Sequence, residues 1–209
     1  MTGHQRLFHT YPPDEGPSGV THRVSAHSAL LSDAVLSHWF RGVPLPPYLL
    51  EGDLLLAFDV RYLQPLLYYL CRMIHARTAI EIGVADGSTT FPILKAVSEV
   101  SGGCLWSVDP APVQQAEDMV MRNGLQQSWR LYQMTSDAFF DTGLSPAAVD
   151  FVFIDGDHQS DAVARDARNS LSRLSPGGLC LFHEWGSGPT FEETKCAISK
   201  VVCQYDVDV

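Results

Sequence analysis

The sequence predicts an α/β fold in which helices cover both faces of a doubly wound, mostly parallel sheet. Five short, mostly apolar segments alternate along the chain with segments of helical length, a pattern typical of a parallel sheet. Polar and acidic residues follow these segments, at the strand ends where doubly wound folds bind their ligands. A chain of 209 residues is close to the size of one domain, so we expect one sheet.

The composition excludes several classes of protein. Hydrophobic residues make up 45% of the chain, which is enough for a packed core and excludes a wholly disordered chain. The formal net charge of −10 argues against a nucleic-acid substrate and against docking on anionic membranes, because both require clustered cations. The five cysteines show no C-x-x-C spacing, which predicts neither a disulfide framework nor a zinc site and favours a cytoplasmic location.

The N-terminal region differs from the rest of the chain. Residues 1–20 are polar and rich in proline and glycine, and we expect a flexible arm without the apolar core of a signal peptide. Residues 21–56 contain apolar side chains at helical spacing, which predicts a helical cap that contributes substrate or dimer contacts. The alternating pattern occupies the remaining domain, residues 57–209.

Each predicted strand is a short apolar run that ends near a glycine, an acidic residue or a histidine. The strands are predicted at residues 78–83, 105–109, 129–133, 149–154 and 179–183. Helices are predicted at residues 60–75, 89–100, 113–123, 136–140, 160–174 and 191–203. Ser160 is the predicted N-cap of its helix. Pro176 and Gly177 fit the two central positions of a type II turn before the last strand.

A glycine-containing turn follows the first strand. Gly83 and Gly87 permit unusual backbone angles and close approach of a ligand, and the acidic Glu81 precedes them. The G-x-x-x-G spacing differs from the G-x-G-x-x-G of dinucleotide-binding turns. It therefore disfavours a nicotinamide cofactor, although an ordinary glycine turn stays an alternative.

The next two strands also end in polar residues. Asp109 follows Gly83 by 26 positions, where an acidic side chain can accept both hydroxyl groups of a ribose. Its alternative role is to start a turn with Pro110. Ser136 and Asp137 follow the third strand, and they either contact the same ligand or cap the short helix that comes next.

The last two strands carry the most specific motifs. Strand four runs into Ile-Asp-Gly-Asp-His, which contains Asp155 and His158, and a Pro-Gly-Gly turn precedes strand five, which ends at His183 and Glu184. With the glycine turn, these motifs resemble class I S-adenosylmethionine (SAM)-dependent methyltransferases. Within that class they are similar to metal-dependent small-molecule O-methyltransferases, namely the macrocin and rhamnosyl O-methyltransferases and the cephalosporin-hydroxylase-like group. The resemblance covers residues 57–184.

The resemblance implies a Rossmann-like methyltransferase sheet and assigns roles to the residues at its strand ends. It places a divalent cation, usually magnesium, on Asp155, His183 and Glu184, although an imidazole departs from the oxygen ligands that magnesium prefers. It gives His158 the role of general base and also places Asp155 among the catalytic residues. The implied SAM-binding residues are Glu81, Gly83, Gly87, Ser88, Asp109, Ser136, Asp137 and Asp155.

The expected function is transfer of a methyl group from SAM to a hydroxyl of a small molecule, with magnesium, in natural-product biosynthesis. The alternatives are a non-methyl reaction on the same fold and a non-catalytic SAM-binding partner protein; a nicotinamide oxidoreductase ranks third. The antiparallel strands that usually end methyltransferase sheets are missing from the pattern. Either a partner chain covers that edge, the fold is trimmed, or the sequence is truncated, and we expect a homodimer.

Overall fold

The computed structural model describes residues 60–183 and 192–205. The predicted arm and cap at residues 1–56 lie outside the described residues, and so does the predicted metal ligand Glu184. Within the described part of the chain, helices and strands alternate as predicted, so that part confirms the α/β class.

Five strands form one sheet, and all of them are parallel. They are β1 (Thr78–Ile82), β2 (Cys104–Val108), β3 (Trp129–Tyr132), β4 (Val149–Ile154) and β5 (Leu174–Phe182). The helices are α1 (Val60–Met73), α2 (Thr90–Ser98), α3 (Gln114–Arg122), α4 (Ser136–Asp141), α5 (Ser160–Leu171) and α6 (Glu192–Val202). None of these helices combines the length and apolar character needed to cross a bilayer.

The strand order is β3-β2-β1-β4-β5. The chain first builds outward from β1 to β3 and then returns to the other side of β1 with β4. Loops therefore leave the carboxyl ends of β1 and β4 in opposite directions, and such a reversal opens a crevice where ligands bind.

The core consists of two apolar layers separated by the sheet. Alternate residues of β4 supply both layers, because successive side chains of a strand point to opposite faces. Phe151 and Phe153 are fully buried against α1, α2 and α3. Val152 and Ile154 are buried in the opposite layer, on the side of α4, and α5 packs there with α6. This division is the physical basis of the near-continuous apolar runs in the sequence.

The strand predictions are confirmed to within a residue or two, except that β5 begins five residues earlier than predicted. Leu174 already pairs with Val149, and an irregular segment follows before regular pairing resumes at Leu179. Gly177 in that segment has φ +80°, the angle that position i+2 of a type II turn requires. The position of the predicted turn is therefore an irregularity within β5 and not a turn that precedes the strand.

The predicted N-cap of α5 is wrong by one residue. Gln159 is the N-cap, with an extended backbone and no hydrogen bond from its side chain to the helix. Ser160 is already the first helical residue. The Asp157 side chain accepts a hydrogen bond from the backbone N–H of Gln159 at 3.0 Å, and this turn carries the chain into the helix.

Candidate active site

A cleft of about 490 Å³ lies at the carboxyl ends of the first four strands. It is bounded by the loops after β1, β2, β3 and β4 and by one side of α5. Its walls are Ile82, Gly83, Val84, Ala85, Val108, Asp109, Pro110, Thr135, Ser136, Asp137, Asp155, Gly156, Asp157, His158, Ala162, Arg165 and Asp166. Six residues predicted for the site, namely Gly83, Asp109, Ser136, Asp137, Asp155 and His158, are therefore brought together.

Gly83 has the unusual backbone angle that the sequence predicts, with φ +88°. The group that approaches Gly83 closely is the backbone of Asp155 and not a ligand. A Cβ on Gly83 would lie 2.0 Å from the carbonyl oxygen of Asp155. The backbone N–H of Asp155 donates to the carbonyl of Ile82 at 2.8 Å. The missing side chain at Gly83 thus lets the ends of β1 and β4 meet beneath the cleft.

Asp109 fastens the loop after β1 to the end of β2. Its Oδ2 accepts hydrogen bonds from the backbone N–H groups of Val84 at 2.9 Å and Ala85 at 3.2 Å. Its Oδ1 accepts one from the N–H of Ala111 at 2.8 Å, so Asp109 does start the turn that was its alternative role. Ala85 has a left-handed φ of 48°, and the two consecutive N–H groups converge on the carboxylate as they would on a bound anion.

Glu81 does not line the cleft, which corrects its assignment as a SAM-binding residue. It is fully buried, and its oxygens accept hydrogen bonds from the hydroxyls of Thr89, Thr90 and Ser107, each at 2.8 Å. The indole of Trp129 in turn donates to Ser107 at 2.9 Å. Burial raises the pKa of Glu81 to about 7, against the opposing effect of the three hydroxyl donors. The role of this carboxylate is to hold the start of α2 against the sheet.

Gly87 and Ser88 also lie outside the walls of the cleft. Gly87 has φ +86°, and a Cβ there would lie 2.7 Å from the Cβ of Ala116, so its small size lets α3 pack against the loop. The backbone N–H of Ser88 donates to Asp86, and its carbonyl accepts from Gln64, both at 3.0 Å. Both predicted cofactor residues therefore shape the loop rather than face the cleft.

Thr135, not Ser136 or Asp137, caps α4, because its side chain accepts the hydrogen bond from the N–H of Ala138. The carboxylate of Asp137 pairs with Nε of Arg165 at 3.1 Å and also accepts from Asn169. This side chain is thus tied to α5 on the rim of the cleft, where about half of it is exposed.

Asp166 is a residue of the cleft that the sequence predictions missed. It is only 3% exposed, and its Oδ1 accepts a short hydrogen bond from the hydroxyl of Ser136. Burial raises its pKa to about 6, and the charges of Asp137 and Asp157 act in the same direction, while Ser136 and Arg165 oppose them. The cleft therefore has a carboxylate in its wall that is stabilised by one hydroxyl group.

A signal for Asp166 was present in the sequence. The apolar face of α5 includes Ala162, Val163 and Ala167, all of them buried, and Asp166 lies within that face at helical spacing. An acidic residue at a core position is seldom fully buried without a partner. An acidic residue on the apolar face of the helix that follows the strand-four motif would therefore have identified Asp166 as a candidate residue of the cleft.

Asp155 and His183 lie in contact at the ends of the two adjacent strands β4 and β5. Nδ1 of His183 is 2.9 Å from Oδ1 of Asp155, and the N–H of His183 donates to the carbonyl of Ile154 at 2.9 Å. Both side chains are partly exposed. Among residues 60–183 and 192–205, no three side chains of metal-ligating type converge, so the described part of the predicted metal site is this pair.

The comparisons with known proteins agree with this architecture. A family model described as a methyltransferase domain (Methyltransf_24) matches residues 80–185, just over half of the chain. No curated protein matches the sequence.

Solved structures share the fold at low sequence identity. An O-methyltransferase from Bacillus cereus in complex with S-adenosylhomocysteine (SAH) is 16% identical with a TM-score of 0.62, covering 82% of this chain and 86% of that one. The SAH-bound methyltransferase PaMTH1 from Podospora anserina is 17% identical with a TM-score of 0.58, covering 95% and 89%. The O-methyltransferase TomG from Streptomyces achromogenes, involved in tomaymycin synthesis and bound to SAM, is 19% identical with a TM-score of 0.57, covering 87% and 82%.

At such identities the structural similarity shows only a common fold. The membership of a family rests on the family model, which matches the sequence. The strand order, the cleft at the strand ends and the matched residues all lead to the same assignment. The chain belongs to the methyltransferase domain family, and its fold is the Rossmann-like fold of the class I SAM-dependent methyltransferases.

Proposed function

We propose that this protein is a SAM-dependent O-methyltransferase that acts on a hydroxyl group of a small molecule. The observation that carries the proposal is that Asp109, a candidate ribose ligand, lines the same cleft as Asp155 and His158. A candidate nucleoside-binding group and side chains that can accept a proton thus line one cleft.

The loop after β1 favours a nucleoside ligand without phosphates. The N–H groups of Val84 and Ala85 would be the natural binding site for a diphosphate at such a turn, but both donate to Asp109. A nicotinamide dinucleotide would have to displace that carboxylate or meet its negative charge. SAM carries no phosphate, and its ribose can use the remaining acceptor capacity of Asp109.

The dimensions of the cleft agree with this ligand. A volume of about 490 Å³ falls in the ordinary range for small-molecule sites, roughly 300–1,000 Å³. SAM or SAH is named as the ligand of the Bacillus cereus, Podospora anserina and Streptomyces achromogenes proteins. When bound, SAM supplies a methyl group activated by a positively charged sulfonium.

His158 is the proposed general base. It lies in the cleft wall in the turn between β4 and α5, and an imidazole can accept a proton near neutral pH. Its role would be to take the proton from the acceptor hydroxyl, so that the oxygen becomes nucleophilic. The walls of the cleft would hold the reacting atoms in line and exclude water.

Asp155 and His183 are the described part of a proposed metal site, with Glu184 as its third ligand. A carboxylate and an imidazole at adjacent strand ends fit a divalent cation, and the imidazole extends the choice beyond magnesium to manganese, a hard cation that accepts a nitrogen ligand more readily than magnesium does. A cation held there would lower the pKa of an acceptor hydroxyl.

A small acceptor in a natural-product pathway is proposed from the motifs shared with sugar O-methyltransferases. The net charge of −10 supports this over a nucleic-acid acceptor, which would require clustered cations. The role of TomG in tomaymycin synthesis is one example of such chemistry on this fold.

Mass spectrometry of a screen of hydroxylated acceptors, incubated with the protein and SAM, tests the proposal. The expected result is SAH together with a product heavier by one CH₂. A product with another mass change would support the alternative of a non-methyl reaction. Failure of every acceptor although SAM binds would support the non-catalytic alternative.

A further inference from the structure

We propose that the outer face of α5 and α6 is a dimer interface, on which a second copy of this chain packs with its own α5 and α6 antiparallel to these two helices. The face lies on a different side of α5 from the residues that line the cleft. The proposal therefore does not depend on the identity of the cofactor or of the reaction.

The face is a groove between two helices that run in the same direction. α5 and α6 each follow one of two strands that pair in parallel. Tyr205, which comes shortly after the end of α6, donates from its hydroxyl to the carbonyl of Arg168 near the end of α5 at 3.2 Å. The groove between the helices has a volume of about 400 Å³.

The charged side chains of the groove form the same pattern on both helices. Asp161 lies seven residues before Arg168 on α5, and Glu193 lies seven residues before Lys200 on α6. Seven residues span two helical turns, so each acid and the base that follows it share one helix face and are about 10 Å apart. The helix dipole favours acids near a helix start and bases near its end, but it does not require all of them to line one groove.

These four charges have no partners within the part of the chain that the structure describes. The four are Asp161, Arg168, Glu193 and Lys200, all of them exposed. Their side chains make no ion pair or hydrogen bond with residues 60–183 or 192–205. Two acids and two bases balance one another, on a chain whose net charge is −10. Two copies of the chain therefore repel one another less at this face than at an acidic part of the surface.

Two-fold symmetry determines how a second copy fits this pattern. An axis perpendicular to the helices makes them antiparallel, so that Asp161 lies opposite the partner's Arg168 and Glu193 lies opposite the partner's Lys200. The reciprocal contacts make four pairs of opposite charge. An axis along the helices would make them parallel and bring Asp161 against the partner's Glu193, which is a repulsive contact. The charge pattern therefore favours the antiparallel dimer.

Small side chains occupy the centre of the face. Ala164 lies about midway between the acid and the base of α5, and Cys196 and Ala197 lie midway between those of α6. In the antiparallel dimer the two-fold axis passes over these residues, where small side chains allow close packing inside a charged rim. The exposed thiol of Cys196 then lies near the same thiol of the partner.

Sedimentation velocity of charge-reversal variants tests the proposal. We expect the wild-type protein to be a dimer at about 100 μM. The double variant Arg168→Glu, Lys200→Glu has only acidic charges on the face, and Asp161→Lys, Glu193→Lys has only basic ones. Each should self-associate at least ~10-fold more weakly than the wild-type protein. An equimolar mixture of the two should restore the dimer, because every acidic group then meets a basic one.

Two further measurements serve as controls. The double variant Asp118→Lys, Arg122→Glu reverses two exposed charges of α3 on the opposite face of the sheet, and it should dimerise like the wild-type protein. A short bismaleimide should cross-link two wild-type chains through Cys196. The cross-linked dimer should be absent in Cys196→Ser but present in Cys203→Ser, because Cys203 lies two turns farther from the axis.

Several outcomes would overturn the proposal. A monomeric wild-type protein at that concentration would do so. A dimer that persists in both charge-reversal variants would place the interface elsewhere, for example at the free edge of β5. A mixture of the two folded variants that stays monomeric would show that the charges do not pair. If circular dichroism shows that the variants do not fold, a wild-type protein that gives no cross-linked dimer through Cys196 would still contradict the interface.

Discussion

Gly83 lies directly against the backbone of Asp155, so closely that a Cβ on Gly83 would be 2.0 Å from the Asp155 carbonyl oxygen. The two residues directly follow the neighbouring strands β1 and β4, which pair in parallel. The turn after β1 and the turn after β4 are therefore parts of one packed unit, and a change at Gly83 should disturb the backbone of Asp155.

We predict that Gly83→Ala destabilises the protein by more than ~3 kcal/mol, because it adds a backbone clash to the strain of a positive φ. Gly124→Ala is the matched control, since Gly124 has φ +67° and nothing within 4 Å of a Cβ, and it should cost only about 1 kcal/mol. Urea unfolding measures both values. Equal losses in the free energy of unfolding for the two variants would show that the close contact between Gly83 and Asp155 does not affect stability.

A second prediction concerns the pH dependence of stability. Burial raises the pKa of Glu81 from its ordinary value of 4.5 to about 7, so the folded protein holds a proton that the unfolded chain releases between these pH values. The contribution of Glu81 to the free energy of unfolding therefore increases as pH falls from about 7 to about 4.5, by on the order of 3 kcal/mol.

Comparison of the wild-type protein with Glu81→Gln isolates this effect. The difference between their free energies of unfolding should shift in favour of the wild-type protein as the solution is acidified across that window. Glu193→Gln, at an exposed position of α6, should give a difference that does not vary with pH. If the difference in the free energy of unfolding between the wild-type protein and Glu81→Gln does not vary with pH, the raised pKa of the buried Glu81 carboxyl group is contradicted.

The proposed base gives a third prediction. His158→Asn should lower kcat by roughly 10²–10⁴-fold, the usual contribution of a general base, while Kd for SAH changes little. The measurement is steady-state turnover with an acceptor found by the mass screen, together with calorimetric titration of SAH. A parallel loss of SAH affinity would mean that His158 binds the cofactor instead.

The proposed metal site gives a fourth prediction. Calorimetric titration with Mn²⁺ or Mg²⁺ should detect binding to the wild-type protein and none to Asp155→Ala, because the variant lacks the carboxylate that contacts His183. Chelation should stop turnover, and added cation should restore it. Full turnover in chelator-treated buffer would show that catalysis does not require a metal ion.

The fold could be predicted because local patterns determine it. The apolar runs of β1, β2 and β4 exist since each of these strands is buried on both faces by helices. The early start of β5 was missed because it depends on pairing between Leu174 and Val149, which no local pattern encodes. The predicted homodimer, the N-terminal cap and the cytoplasmic location stay predictions.

The site was predicted less completely than the fold. A sequence does not distinguish a buried acidic residue from one that binds a ligand. Only the hydroxyl groups of Thr89, Thr90 and Ser107, which donate to its carboxylate, show that Glu81 is of the buried kind. Ser107 comes from a different strand, so this partnership requires the folded sheet. Asp166 was overlooked for the opposite reason, since it lies within a helix and outside the strand-end motifs.

The most direct test of the account is calorimetric titration of SAH and NAD into the wild-type protein, Asp109→Ala and the control Asp118→Ala, which removes an exposed carboxylate of α3. We predict that the wild-type protein and the control bind SAH alike and bind no NAD. Asp109→Ala should bind SAH at least ~10-fold more weakly, because it loses both a charged acceptor and the anchor of the loop. Binding of NAD, or equal binding of SAH by Asp109→Ala and the wild-type protein, would contradict the account.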